Sequence, residues 1–185
     1  MPPRHKLIVM GDAYVGKTTL LERLSRGVFV NSMESTVATA FTVLRYDNMS
    51  IDIWDTAGQE RYRSFVPMFA RGAHIALICF CGFDADTVSM WIRESRSAQP
   101  DVRIILVHTK SDVADRASVA AATEYASLED IPMRVTSSYT GQGIECLREN
   151  IYNIAKSIPL TPSSSGDNGR LSRSIVTGCS GCGGR

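Results

Sequence analysis

No apolar stretch of this 185-residue chain approaches the about 20 residues needed to cross a bilayer, so a membrane-spanning helix is not expected. An excess of one charge is missing too. Twenty basic and 19 acidic side chains leave +1, and nothing in bulk attracts nucleic acid or an anionic membrane. The first residues, Met1-Pro2-Pro3-Arg4-His5-Lys6, have no apolar centre of the kind a secretory signal carries. The five cysteines are odd in number, which argues against a disulfide framework, and they are expected as reduced thiols in the cytosol. Cys79, Cys81 and Cys146 lie in apolar sequence surroundings, and Cys179 and Cys182 near the end. His5, His74 and His108 stand at no metal-ligand spacing and read as core or surface residues. No internal repeat is visible.

What is present is ordinary for one globular domain with an appendage. Hydrophobic residues make up 44% and charged residues 21%, enough to bury a core. The composition shifts at residue 159. From there serine, glycine and proline dominate, with Arg170, Arg173 and Arg185 against Asp167 alone. Segment 159–185 therefore carries +2 and the remainder, 17 basic against 18 acidic residues, −1. So few apolar residues cannot offset ordering entropy, and a disordered tail is expected over 159–185.

The most informative stretch is Gly11-Asp12-Ala13-Tyr14-Val15-Gly16-Lys17-Thr18, which fits G-x-x-x-x-G-K-S/T at every fixed position. It follows the apolar run Leu7-Ile8-Val9-Met10 and precedes helix-compatible Thr19-Leu20-Leu21-Glu22-Arg23-Leu24. That context matters, because the pattern denotes a phosphate loop only between a strand and a helix. Its glycines let the backbone aim N–H groups at a polyphosphate, and the helix N-terminus adds donors and a positive dipole end. Lys17 then reaches the β- and γ-phosphates, and the Thr18 hydroxyl takes a Mg²⁺ position. A chance glycine-rich turn is the alternative, and the strand–loop–helix setting speaks against it.

Along the chain, residues 6–10 read as a buried strand and 17–26 as a helix stopped by Gly27. Residues 28–39 read as a loop. Runs 40–46 and 49–54 are strand-like and joined by Asp47-Asn48, a tight turn that implies antiparallel pairing. Stretch 59–71 is polar and partly helical. Runs 73–80, 102–108 and 131–136 read as strands, the first a continuous apolar run and the second also buried, as parallel strands covered on both faces are. Helices are expected over 86–98, 116–128 and 143–158, the last with a stripe of Ile144, Leu147, Ile151, Ile154 and Ile158. Alternating strands and helices imply an α/β fold: a six-stranded, mostly parallel sheet with one antiparallel edge strand and helices on both faces. Ligands in such sheets bind at strand carboxyl ends. The phosphate loop, 55–58, 108–112 and 136–141 all fall there, so four loops converge on one rim.

These residues carry a family resemblance. The phosphate loop, Ser35-Thr36, Trp54-Asp55-Thr56-Ala57-Gly58-Gln59-Glu60-Arg61-Tyr62, Thr109-Lys110-Ser111-Asp112 and 137–141 occur in the order of the small Ras-like GTPases. Within that superfamily the chain resembles a Rab. Glu34-Ser35-Thr36, Ala40-Phe41 and Pro67-Met68-Phe69-Ala70-Arg71-Gly72 are most similar to the early-endosomal branch. The resemblance covers about residues 6–158 and implies a P-loop NTPase of the small G-domain type, with a GTP-binding domain at 1–158.

The resemblance also implies roles. Asp55 is to hold Mg²⁺ through water, although a strand-end acid also suits a turn cap. Thr36 is to complete the metal shell only while the γ-phosphate is present, and Gly58 to offer its N–H to that phosphate. Segments 30–40 and 58–69 then relax on hydrolysis. Gln59 is to orient the attacking water, with Lys17 and Thr36 completing the catalytic set. No arginine finger is identifiable in the sequence, so turnover is expected to be slow and accelerated by an activating protein. Ala13 and Tyr14 are to line the γ-phosphate side, Thr18 and Thr19 the helix start, and Phe29 the ribose side. The Lys110 stem is to cover the base. Asp112 is to accept from guanine N1–H and its amine, which adenine cannot offer; alone it reads as an ordinary surface acid.

Four positions in three places depart from the family pattern. Thr109 stands for asparagine, and a shorter hydroxyl is not expected to bridge as an amide does. Ser137-Ser138-Tyr139 stands for serine-alanine-lysine, the Ser138 N–H still reaching the guanine carbonyl. Ala38 replaces a glycine. Weaker nucleotide affinity and faster exchange are therefore expected than in a typical member.

Phe41, Trp54 and Phe69 match three aromatics with which Rabs present an effector surface, as against simple core. Cys179 and Cys182 match the region where Rabs carry geranylgeranyl groups, but Cys-Ser-Gly-Cys-Gly-Gly-Arg departs from the usual pairs and lacks the aliphatic positions of a C-a-a-X box. The resemblance thus implies a monomeric GTP/GDP switch with Mg²⁺ in endosomal or other vesicular traffic. It cycles between cytoplasm and the cytosolic membrane face by a lipid anchor, with an exchange factor, an activating protein and effectors as partners and no nucleic acid. Two alternatives remain: a nucleotide-loaded scaffold with little turnover, and an ATP-using P-loop enzyme, for which no lid or second substrate segment is found.

Overall fold

Alternation along the strands decides how the sheet is covered. In a computed structural model, which describes residues 4–30, 40–55 and 66–159, the strands are β1 (Arg4–Met10), β2 (Ala40–Arg45), β3 (Ser50–Asp55), β4 (Ile75–Phe80), β5 (Arg103–His108) and β6 (Met133–Val135). Odd-numbered side chains such as Leu7, Val9, Leu77 and Val107 enter one apolar cluster; even-numbered Ile8, Met10, Ile78 and Leu106 enter another. Every residue of β4 is buried, as a strand covered on both faces requires.

The sheet order is β2-β3-β1-β4-β5-β6. All neighbours pair in parallel except β2 with β3, whose turn closes through Tyr46 N–H to the Met49 carbonyl at 2.9 Å around Asp47-Asn48. Helices α1 (Lys17–Arg26) and α5 (Ile144–Ser157) cover one face. Helices α2 (Val66–Ala70), α3 (Ala85–Ala98) and α4 (Arg116–Leu128) lie on the other. The apolar stripe of α5 turns Leu147, Ile151 and Ala155 fully inward, while Ile154 and Ile158 pack at its edge. Asp84 starts α3 by accepting the Thr87 N–H at 2.9 Å, and Gly27 ends α1 in the left-handed region at φ 71°.

Some expected boundaries move. Residues 131–136 form only the three-residue strand β6, where Pro132 can supply a carbonyl to Leu106 N–H but no donor. Of 59–71, the described part holds only the short helix α2. Of the three cysteines in apolar sequence surroundings, Cys79 is buried, whereas Cys81 and Cys146 are exposed. Cys81 stands just past the end of β4, and Cys146 sits on α5 outside its buried stripe. The expected tail at 160–185 lies outside the described residues.

Two predictions come from this packing. Leu147→Ala leaves a void under a fully buried side chain and is expected to cost about 2–5 kcal/mol, whereas Leu128→Ala, on a residue 80% exposed, stays within about 0.5 kcal/mol. Urea unfolding at fixed nucleotide concentration checks both. Burial also holds His5, His74 and His108 below the ordinary imidazole range, and the neighbouring positive charges of His74 on His5 and of Lys6 on His74 lower those two further. The unfolded chain therefore takes up protons first, and stability falls as pH drops below about 6.5. A urea midpoint that holds or rises between about pH 7 and pH 5.5 would contradict this.

Candidate nucleotide-binding site

The phosphate loop leaves β1 at a point where only glycine fits. Gly11 has φ 134°, and a Cβ there would stand 2.1 Å from the Cys79 carbonyl oxygen of β4. The loop then enters α1 through Gly16 at φ 94°, with no side chain capping the helix. The first-turn N–H groups of α1 thus depend on a partner from outside the helix. Tyr14, with φ 63°, is a non-glycine residue in the left-handed region, a conformation costing about 1–3 kcal/mol unless its surroundings hold it. Lys110, itself at φ 52°, holds it: its Nζ donates to the Tyr14 carbonyl at 2.7 Å. The Tyr14 ring is 69% exposed.

Lys17 is buried among this backbone. Its Nζ donates to the carbonyls of Gly11 at 3.0 Å and Asp12 at 2.6 Å. Burial lowers its pKa, and Cys79, Asp55 and Asp12 oppose that shift. Beside it the Thr18 hydroxyl donates to Asp55 Oδ2 at 2.6 Å. Asp55 Oδ1 is buried with no hydrogen-bond partner among the described residues. Burial raises the Asp55 pKa, against the pull of Thr18 and Lys17. A hydroxyl and an orphaned carboxylate oxygen are hard donors of the kind Mg²⁺ takes alongside water and phosphate, so these residues fit that ion.

At the other end of the rim, the sheet ladder runs on into the loops that follow β5 and β6. Thr109 N–H donates to Phe80 O at 2.8 Å, Thr136 N–H to His108 O at 2.7 Å, and Ser111 N–H to Thr136 O at 3.0 Å. Ser137 Oγ donates to Asp112 Oδ1 at 2.5 Å and aims that carboxylate. The Lys110 stem crosses the phosphate loop, its Cε 3.5 Å from where a Cβ on Gly16 would lie.

Thr109 corrects an expectation. Its hydroxyl lies within hydrogen-bonding distance of both Val15 O and Phe80 O, at 2.5 and 3.0 Å, so it does bridge β5 to the phosphate loop. One hydroxyl proton facing two carbonyls, on a residue 2% exposed, leaves no donor for a base. His108 Nδ1 lies 3.0 Å from the Thr109 carbonyl, which can only accept, so the ring carries its proton on Nδ1.

The described residues expected at the site thus fall in two groups. Asp12, Ala13, Tyr14, Val15, Lys17, Thr18 and Thr19 follow the phosphate loop into α1, with Asp55 beside them. Thr109, Lys110, Asp112, Ser137, Ser138 and Tyr139, expected at the base, lie in the loops after β5 and β6 at the other end of the rim. Phe29 meets Tyr139 edge-on, with ring centroids 5.3 Å apart. The Asp12 side chain turns away from the loop mouth and accepts from Trp91 Nε1–H of α3 at 3.0 Å. Trp91 reads in the sequence only as an apolar helix position, and no local signal marks its second role. Gln59, Gly58 and Thr36 lie outside the described residues, as do Cys179 and Cys182. Outside the site, Phe41, Trp54 and Phe69 form a row with centroid spacings of 5.4 and 6.0 Å. Phe41 is exposed and the other two half-buried.

Comparison with known proteins agrees with this geometry. The family model described as "Ras family" matches residues 6–158. The chain is 36% identical to "Ras-related protein Rab-5A" of Dictyostelium discoideum, over 90% of this chain and 86% of that protein. It is 35% identical to "Ras-related protein RHN1" of Nicotiana plumbaginifolia, over 83% of this chain and 80% of that protein. A left-handed phosphate loop around a buried lysine, a parallel sheet with one antiparallel edge and two pinned base loops accord with these matches: the chain belongs to the Ras family of small GTPases, as a Rab-type member close to the early-endosomal branch.

Proposed function

We propose that residues 1–158 form a switch that binds GTP with Mg²⁺, hydrolyses it slowly, and recruits effectors in endosomal or other vesicular traffic. The observation that carries this reading is the buried cluster of Lys17, Thr18 and Asp55 on the rim that also carries Asp112, held by Ser137. Lys17 binds the β- and γ-phosphates with a charge that burial leaves weakly screened. Thr18 and Asp55, with Thr36, hold Mg²⁺, which neutralises phosphate charge during transfer. Gln59 orients water, and the Gly58 N–H meets the γ-phosphate. Asp112 selects guanine, and the N–H of Ser138 supports its carbonyl. The row of Phe41, Trp54 and Phe69 offers exposed aromatic area to effectors. Lipid on Cys179, Cys182 or both, in the C-terminal segment, anchors the loaded chain to the cytosolic face of the membrane.

A second reading, a nucleotide-loaded scaffold with negligible turnover, is favoured by one observation: Tyr14 places an exposed ring on the phosphate loop itself. Single-turnover hydrolysis separates the two. The switch reading expects slow GTP consumption that falls by roughly tenfold or more in Gln59→Leu; no turnover, unchanged by the substitution, supports the scaffold. Base choice is tested independently. Asp112→Asn is expected to weaken GTP by about 10- to 100-fold and shift preference toward xanthosine triphosphate. Equal competition by ATP in the parent chain would contradict the role given to Asp112.

A further inference from the structure

We propose that Arg23 sets how fast guanine nucleotide leaves, as the positioning residue of an aromatic wall formed by Phe29 and Tyr139; this rests on the GTPase reading above. Arg23 stands near the end of α1, and its Nη1 donates to the Gly27 carbonyl at 2.7 Å. Gly27 ends α1 and lies two residues before Phe29. The other side of the same guanidinium packs on Gly141: a Cβ built there would stand 2.8 Å from Nη2. Gly141 closes the turn that carries Ser137, Ser138 and Tyr139, its N–H donating to Ser137 O at 2.9 Å.

One planar cation therefore braces the two stems whose tips carry the rings. The rings meet at an interplanar angle of 76°, an edge-to-face pair. Burial does not account for the pairing, since Phe29 is 38% and Tyr139 66% exposed. The wall stands beside the base-reading carboxylate, because Ser137, which aims Asp112, belongs to the same turn. Tyr139 occupies the position where the family resemblance expects lysine, so the ring supplies contact area in place of an aliphatic stem. Arginine suits the brace because its nitrogens form a rigid fork; a lysine is a point donor that cannot engage both stems in a fixed direction. A nucleotide leaving past this edge has to displace the pair, and the brace resists that displacement.

The test uses the full chain loaded with radiolabelled GDP in Mg²⁺, chased with unlabelled GDP. Arg23→Met is expected to release about two- to tenfold faster, and Tyr139→Ala to do the same, from the loss of one aromatic pair. Arg23→Lys stays near Arg23→Met. Tyr139→Phe is expected to release more slowly than Tyr139→Ala, since the ring and not its hydroxyl makes the wall. The double variant Arg23→Met, Tyr139→Ala is no faster than the quicker single one, because brace and ring act as a unit. A parent rate in Arg23→Met, or single effects that multiply in the double variant, overturns the proposal while leaving the GTPase reading intact. A parent chain that holds no guanine nucleotide overturns both. If Arg23→Met does not fold, the Tyr139→Ala and Tyr139→Phe pair on the exposed turn still decides whether the wall exists: equal rates in the two reject it.

Discussion

An ammonium group buried at the carboxyl edge of a parallel sheet is the constraint on which the rest depends. Lys17 is 6% exposed and donates to the Gly11 and Asp12 carbonyls. Buried cations are costly unless well partnered, so the loop that surrounds this one cannot relax freely. Its backbone has to pass close under β4, which only glycine at position 11 permits. It also has to hold Tyr14 in a left-handed conformation, which Lys110 and Thr109 enforce from the loop after β5 by donating to the carbonyls of Tyr14 and Val15. The phosphate loop is therefore braced by the base end of the site. A ligand that spans both ends meets a cradle already set.

The second consequence is electrostatic. Asp55 and Lys17 are both buried beside each other, and Asp55 keeps one oxygen without a partner among the described residues. Such an arrangement is poor as a stability device, since each ion has given up water for incomplete partners. It is well suited to receive a polyphosphate with a divalent cation, where anion and metal complete both shells. This region is less stable than an apolar core of equal volume would be, and the difference is recovered on binding.

Much of this was legible in the sequence because it was local. The G-x-x-x-x-G-K-T string between an apolar run and a helix marked the phosphate loop. Asp47-Asn48 marked the antiparallel turn, and apolar runs marked β4 and the centre of β5. Residues 17–26 and 116–128 formed the helices that their patterns indicate. What could not be read was carried by contacts between residues far apart in the chain. Thr109 bridges to Val15 across a separation of 94 residues, and Trp91 donates to Asp12 across 79. The exposure of Cys81 and Cys146 followed from where a strand stopped and which face of α5 turned inward, and neither is set by neighbouring residues alone. The brace at Arg23 belongs with these: a basic residue near a helix end gives no hint that it touches the turn after β6.

On the proposed function, one guanine nucleotide completes the buried cluster of Lys17, Thr18 and Asp55. The most direct measurement is the identity and amount of nucleotide carried by the chain purified in Mg²⁺, read by chromatography after denaturation and again after chelation of the metal. One guanine nucleotide per chain, shed when the metal is removed, is the expected result. An adenine nucleotide in its place, or a chain that holds none even when guanine nucleotide and Mg²⁺ are supplied, would contradict it.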